Sequence, residues 1–172
     1  MKIKLLSVFI VIISLTMSLS TQATMISLSS NLDGAQANAG AGTLSPGTGL
    51  ASMIFDDVTK VFSWDISWSG LIGDVTAAHF HGAALFDQNA GVQVPLSVVV
   101  DSANGSSTLS DAQATDLLAG LWYINIHTLD FPTGEIRGQV VRAPNVSVSE
   151  PSVMFLILPL LMGLYYSRRR RV

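Results

Sequence analysis

The sequence of 172 residues contains no cysteine, which excludes disulfide bonds, thiolate metal sites and cysteine nucleophiles. Basic residues are almost as rare in the middle of the chain, where only Lys60, Arg137 and Arg142 occur. Eleven acidic residues lie between Asp33 and Glu135, so three basic against eleven acidic side chains give the middle a net charge of −8. This balance argues against binding to nucleic acid or to an anionic membrane through a basic patch.

Motifs of the common enzyme classes are missing too. The chain has no Gly-x-Ser-x-Gly nucleophile elbow, phosphate-binding loop, dinucleotide-binding fingerprint or EF-hand calcium loop. Its carboxylates are scattered through predicted turns, as at Asp56 and Asp57. The sequence therefore predicts no catalytic residues, and it favours a non-enzymatic protein.

The N-terminal segment has the layout of a secretory signal. Lys2 and Lys4 precede an apolar run over residues 5–19, and Thr21 and Ala23 place small residues at the positions that signal peptidase requires. We therefore expect residues 1–23 to form a signal helix, to engage the secretion machinery and to be removed by cleavage after Ala23. A transmembrane anchor is the weaker alternative, because the run is short and is interrupted by hydroxyl side chains.

The C-terminal segment combines a Glu-Pro element in a linker over residues 145–152 with an apolar stretch and a basic end. The fourteen apolar residues 153–166 rise about 21 Å as a helix, which is short for a hydrocarbon core of about 30 Å. The positive-inside preference would hold the final arginines on the cytoplasmic side. These are Arg168, Arg169, Arg170 and Arg171. Residues 153–172 are thus expected to form a short transmembrane helix with an arginine tail.

This C-terminal layout resembles the PEP-CTERM sorting signal of Gram-negative bacteria. Only Glu150 and Pro151 match its triplet, because Ser149 replaces the first proline. The resemblance implies recognition by an exosortase-type enzyme, transient anchoring in the inner membrane, removal of the tail, and display at the cell surface or in extracellular matrix. A plain C-terminal anchor that is retained stays open as the alternative.

Residues 24–144 have the pattern of an all-β domain. In residues 60–69 the side chains of Phe62, Trp64, Ile66 and Trp68 alternate with polar ones, as in a strand buried on one face. Similar patterns predict about seven strands in an antiparallel β-sandwich or a barrel-like sheet pair. The predicted strands are Met25–Leu32, Leu50–Phe55, Lys60–Ser69, Val75–His81, Val92–Val100, Leu121–His127 and Glu135–Arg142.

One segment of the domain departs from this strand pattern. Ser110 and Gln113 have the spacing of a capping box, and Gly120 can end a helix. The sequence therefore predicts one short helix at about residues 111–119. The glycine-rich residues 34–49 are expected to form a surface loop.

Three separated motifs resemble the CHRD domain, first recognised in chordin. They are residues 75–82 (VTAAHFHG), 118–128 (LAGLWYINIHT) and 131–139 (FPTGEIRGQ), and residues 32–36 (LDGAQ) match the usual start of the domain. The resemblance implies a β-rich extracellular module over roughly residues 25–142. It supplies no chemistry, so the function implied is a binding or structural role in the cell envelope or matrix, with extracellular polysaccharide or surface proteins as expected partners.

All three histidines of the chain lie within these motifs. His79 and His81 are two residues apart on a predicted strand and so share a face, and His127 on another strand would complete a three-nitrogen site for Zn²⁺ or Cu²⁺. His-x-His-Gly with a later histidine is also similar to copper–zinc superoxide dismutases, although their further histidine ligands and disulfide are missing. The favoured interpretation is a cofactor-free structural network, in which the imidazoles hydrogen-bond to backbone or to carboxylates such as Glu135. A metal-binding protein or metalloenzyme that uses the three histidines is the alternative. Asn125 is expected to support the histidine face.

Glu135 and Arg137 also share a face on their predicted strand. Opposite charges at such positions most often form an ion pair within the sheet. We therefore expect this pair to be structural and not part of a binding site.

Overall fold

The computed structural model describes residues 23–144. The predicted signal helix and C-terminal hydrophobic helix lie outside these residues, as do Glu150, Pro151 and the arginine tail. Within the described part, no helix is long and apolar enough to cross a membrane.

The domain consists of ten strands and one helix, α1 (Asp111–Leu118). The strands are β1 (Met25–Asp33), β2 (Thr48–Asp56), β3 (Val61–Ser69), β4 (Val75–His81), β5 (Val92–Pro95), β6 (Val98–Val99), β7 (Ser102–Thr108), β8 (Tyr123–Thr128), β9 (Ile136–Gln139) and β10 (Val141–Arg142).

The strands form one antiparallel sheet that curls into a half-barrel, in the order β5-β4-β8-β9-β1-β2-β3-β7-β6, with β10 also pairing with β1. We call β5, β4, β8 and β9 the histidine wing, and β1, β2, β3, β7 and β6 the serine wing. β1 joins β9 through one residue pair, Asp33 opposite Arg137. It joins β10, which follows β9 after Val140, through two more, Leu28 opposite Arg142 and Ser29 opposite Val141. The predicted all-β antiparallel fold is confirmed. The predicted pair of sheets is wrong, because these ladders make one curled sheet of the two halves.

The curl brings the inner faces of the two wings together in one apolar core. Phe62 of β3 lies 5.1 Å, between ring centroids, from Phe80 of β4, although these strands are far apart in the sheet order. The ring of Trp122 lies 6.0 Å from that of Phe62. Helix α1 adds the buried side chains of Ala114 and Leu117 to the same core. Close packing of these large side chains is the main source of stability in a domain without disulfides.

The strand count exceeds the predicted seven for two reasons. Two of the predicted strands are interrupted, one after Pro95 and one at Val140, and each becomes two short strands. β7 was not predicted, because its sequence SANGSST has no apolar alternation and only Ala103 in it is buried. Its strand conformation follows instead from the ladder that it forms with β3.

The predicted short helix is confirmed as α1, although it ends one residue earlier than expected. The Ser110 Oγ accepts a hydrogen bond of 3.2 Å from the Gln113 amide, and the Gln113 side chain returns to the Ser110 backbone. This reciprocal capping satisfies two amides at the start of the helix. The predicted loop over residues 34–49 is confirmed for residues 34–47, whereas Thr48 and Gly49 already belong to β2.

Both ends of the described domain lie beside the start of β1. The Thr24 amide donates a hydrogen bond of 2.8 Å to the Asp57 carboxylate in the turn after β2. The Ala143 amide, just after β10, donates one of 3.0 Å to the Ser27 carbonyl. The far end of β1, at Asp33, is the end that pairs with the histidine wing.

Candidate metal centre

The histidine wing has two contrasting faces. In β4, Ala78 and Phe80 are buried in the core, so His79 and His81 project from the opposite face. The ladder places Asn125 of β8 opposite His79 and Tyr123 opposite His81, and His127 continues the same face of β8. The polar face of this wing therefore collects all three imidazoles, as the two-residue spacing in each strand dictates.

The three imidazoles converge closely enough to share one ion. One ring nitrogen from each of His79, His81 and His127 lies within 4.8 Å of the other two. The ring centroids are 5.5 Å apart for His79 and His81, 5.2 Å for His79 and His127, and 5.9 Å for His81 and His127. Nitrogens bound to one Zn²⁺ lie about 3 to 3.5 Å apart, given bonds of about 2.0–2.1 Å. Small side-chain rotations therefore suffice to bring them around a metal.

Backbone carbonyls fix which nitrogen two of the rings present. The Nδ1 of His81 lies 2.9 Å from the Ala90 carbonyl oxygen, and the Nδ1 of His127 lies 2.9 Å from that of Pro132. Because a carbonyl oxygen only accepts, Nδ1 carries the proton in both rings and Nε2 keeps the lone pair. Metal-binding histidines are typically oriented in this way, with the other ring nitrogen donating to a carbonyl.

The remaining ring nitrogens are short of partners. The Nε2 of His81 and the Nδ1 of His79 are both buried and have no hydrogen-bond partner. The Nε2 of His127 lies 3.4 Å from the Asn125 amide nitrogen, which is itself bound to the Thr133 carbonyl. Buried polar atoms without partners are uncommon and call for an explanation. A metal ion between the rings would supply it.

Burial also keeps these imidazoles in the form that binds metals. Removal from water lowers the pKa of His79, and the neighbouring His127 lowers it further. Removal from water likewise lowers the pKa of His81, and the hydrogen bond to Ala90 opposes this shift without cancelling it. The charge of Arg137 acts in the same lowering direction on His81. Both rings are therefore neutral near pH 7, with a lone pair available for a cation.

The segment over residues 84–90, which we call the strap, covers part of this polar face. Arg137 is 1% exposed and donates hydrogen bonds of 2.8 Å to the Gln88 carbonyl and 3.1 Å to the Leu85 carbonyl. The Tyr123 hydroxyl accepts a hydrogen bond of 3.1 Å from the Ala90 amide. The strap is thus held in place by β8 and β9, and it in turn provides the carbonyl that orients His81.

The predicted ion pair between Glu135 and Arg137 is not formed. The Glu135 carboxylate is completely buried and accepts four hydrogen bonds, and none of them comes from a histidine or from Arg137. The donors are the Ser45 and Thr128 hydroxyls and the Ile72 and Gly73 amides. The predicted network that would tie the histidines to Glu135 is therefore also wrong. Burial raises the pKa of Glu135, but these donors together outweigh it and hold the pKa below its ordinary value.

Sequence reasoning did not find the contacts that surround the histidines. The carbonyls of Ala90 and Pro132 give no signal in a sequence, because every residue has one. The glycine at position 82 is the one sequence signal that could have been used. Its reason is that a Cβ there would collide with the Trp122 ring. The glycine after His81 therefore lets the strap begin close against the core.

Comparison with known proteins places the domain in a family but does not assign it a chemistry. No curated protein and no solved structure matches the chain. The model of the CHRD domain matches residues 28–140, a range that exceeds half of the chain. It includes the strap, all three histidines and both wings except the first three residues of β1. The chain therefore belongs to the CHRD domain family.

Proposed function

We propose that this protein is exported and acts at the cell surface or in extracellular matrix as a non-enzymatic module that binds one transition-metal ion, zinc or copper. The observation that carries the metal assignment is the convergence of His79, His81 and His127, with Nε2 of His81 and Nδ1 of His79 buried and unpartnered. A purely structural network would be expected to satisfy those nitrogens.

The metal content of the purified protein tests this proposal. After dialysis the protein should hold close to one equivalent of Zn or copper, and added metal should raise its melting temperature. His81→Ala should abolish both effects. Ser63→Ala, on the exposed face of β3, is the matched control and should retain them. A protein that stays metal-free under saturating Zn²⁺, Cu²⁺ and Cu⁺ would contradict the proposal.

The export route is supported by the two terminal segments, which lie outside the described residues. Their order, a signal segment with cleavage after Ala23, then Glu150 and Pro151, then an apolar stretch and arginines, is that of a protein delivered outward and then released. Signal peptidase and an exosortase-type enzyme are the proposed processing partners. Mass spectrometry of secreted or surface material should find a chain that begins at Thr24 and lacks Arg168–Arg171. Intact tails in the inner membrane would favour a retained anchor.

A metalloenzyme is the second candidate, and one observation favours it. The cluster contains three histidines and, within residues 23–144, no carboxylate that joins them. Three protein ligands leave a coordination position open, as in catalytic zinc sites. Hydrolase and dismutase assays on the metal-loaded protein separate the two functions. Turnover that disappears in His127→Ala, a variant of the half-exposed ligand, would establish the enzyme and overturn the non-enzymatic role.

A further inference from the structure

A buried positive charge, the guanidinium of Arg137, lies near the histidine cluster and contacts the same tyrosine ring as His81. The guanidinium carbon of Arg137 is 3.5 Å from the ring centroid of Tyr123. The imidazole of His81 stacks on the same tyrosine, with centroids 5.0 Å apart and planes inclined by 8°. Arg137, Tyr123 and His81 are all buried, so water screens this charge poorly.

No carboxylate is hydrogen-bonded to this guanidinium. Its partners are neutral oxygens of the strap and of β9, and its Nε has no partner at all. These oxygens belong to the carbonyls of Leu85 and Gln88 and the side-chain amides of Asn89 and Gln139. Asp87 of the strap acts on this cation only through space, so no hydrogen-bonded carboxylate neutralises it next to the metal centre.

The ligands themselves bring no negative charge either. The three imidazoles are neutral donors, and no Asp or Glu of the described region belongs to the cluster. A fixed positive charge destabilises a nearby dication twice as much as a monocation at the same position. Imidazole is a good ligand for copper as well as for zinc. The arrangement therefore favours the metal ion of lower charge.

We propose, building on the metal site proposed above, that the three-histidine centre binds cuprous copper in preference to Zn²⁺ and Cu²⁺, and that Arg137 sets this preference. Arg137 does not touch the metal. It acts by its charge, through the Tyr123 ring that separates it from His81. Removal or neutralisation of that charge should therefore shift the selectivity toward dications, whatever it does to overall affinity.

Asn89 offers a way to neutralise Arg137 without disturbing the core. Asn89 is exposed, and its Oδ1 lies 3.4 Å from the Arg137 Nη1. Asn89→Asp places a carboxylate against the guanidinium. Asn89→Ala removes the same amide without adding charge, and Ser106→Asp adds the same charge on the serine wing. Arg137→Met removes the cation directly, but it also breaks the bonds to the strap and is the variant most prone to misfold.

The measurement is the dissociation constant for Cu²⁺ divided by that for Cu⁺, determined on the full exported chain. The dissociation constant for Zn²⁺ is measured as well. Competition with a cuprous chelator under anaerobic reduction gives the Cu⁺ value, and competition with divalent chelators gives the others. The ratio reduces the contribution of general damage to the site, because the same three histidines are offered to both copper ions, and the two control variants measure what remains. The unaltered protein should bind Cu⁺ most tightly. Asn89→Asp should lower the ratio by roughly tenfold, and both controls should leave it unchanged.

The possible results separate this inference from the proposed function. If the unaltered protein binds no metal, both are wrong. If it binds metal but holds Zn²⁺ more tightly than Cu⁺, the metal site stands and the cuprous preference is overturned. An unchanged ratio in Asn89→Asp also overturns the role of Arg137. A lowered ratio in Asn89→Asp with unchanged controls supports it.

Discussion

The two wings of the sheet bury their residues in different ways. In the serine wing, β2 and β3 alternate between buried and exposed positions along most of their length, because one face packs into the core and the other meets solvent. In the histidine wing, five of the six residues of β8 are buried, because the strap and the loop before β9 cover its outer face. The comparison shows that the histidine cluster lies on the wing whose two faces are both buried, one by the core and the other by the strap and the loop before β9.

Polar side chains on a buried face need hydrogen-bond partners within the protein, whereas those on an exposed face do not. On the serine wing an outward serine can bond to water, so its side chain can be changed at little cost. On the histidine wing each buried polar atom needs a partner within the protein, and leaving one unsatisfied costs about 1–3 kcal/mol. The unpartnered nitrogens of His79 and His81 therefore carry such a cost, and so does the Nε of Arg137 beside them.

The largest effect is expected where the wings meet. Phe62→Ala should destabilise the protein by about 3–5 kcal/mol, because it leaves a cavity between the two inner faces. Ile54→Ala, at a side chain 49% exposed on the outer face of β2, should cost about 1 kcal/mol or less. Urea denaturation measures both. Equal losses of unfolding free energy in the two variants would contradict the assignment of one face of the serine wing to the core and the other to solvent.

A smaller effect is expected from carboxylates on the two wings. Glu135→Gln should destabilise the protein by about 2–3 kcal/mol, because an amide cannot accept all four hydrogen bonds that the buried carboxylate accepts. Asp65→Asn changes an exposed carboxylate on the outer face of β3 and should stay within about 0.5 kcal/mol. If the two substitutions had similar effects in denaturation experiments, burial on the histidine wing would not be what makes Glu135 important.

The smallest expected effect is the pH dependence of the stability that the Glu135 carboxylate contributes. The pKa of Glu135 is lowered in the folded protein from its ordinary value of 4.5, so its ionised form stabilises the fold above that pH. This contribution is lost as pH falls through the lowered pKa. The stability gap between the unaltered protein and Glu135→Gln should therefore be constant above about pH 5.5 and narrow toward pH 3. A gap that widens on acidification would show that the pKa is raised instead.

The sequence predicted those features that depend on local periodicity and spacing. The buried and more exposed residues of β3 alternate as predicted, and the spacing of Ser110 and Gln113 correctly predicted the start of α1. The two-residue spacing of His79 and His81 gave their common face. β7 could not be predicted, since its polar residues become a strand only through pairing with β3.

The surroundings of the site were beyond sequence reasoning because they depend on distant segments. Glu135 lies just before β9 and Arg137 lies within it, and each is hydrogen-bonded by other segments instead of by its predicted partner. Ser45 and Thr128 bond to Glu135, and the strap takes Arg137. The joint that turns a predicted pair of sheets into one likewise consists of only three residue pairs, between β1 and the strands β9 and β10. Such a short joint gives no periodic pattern in the sequence.

The two ends of the described domain lie beside the start of β1, and this position bears on how the domain would be presented. Thr24 and Ala143 both lie at that end. Asp33 at the other end pairs with Arg137, which lies opposite Asn125 in the histidine wing. The nine residues of β1 span about 30 Å. If the proposed C-terminal tail holds the protein at a membrane, the end of β1 that pairs with the histidine wing would point away from the attachment point.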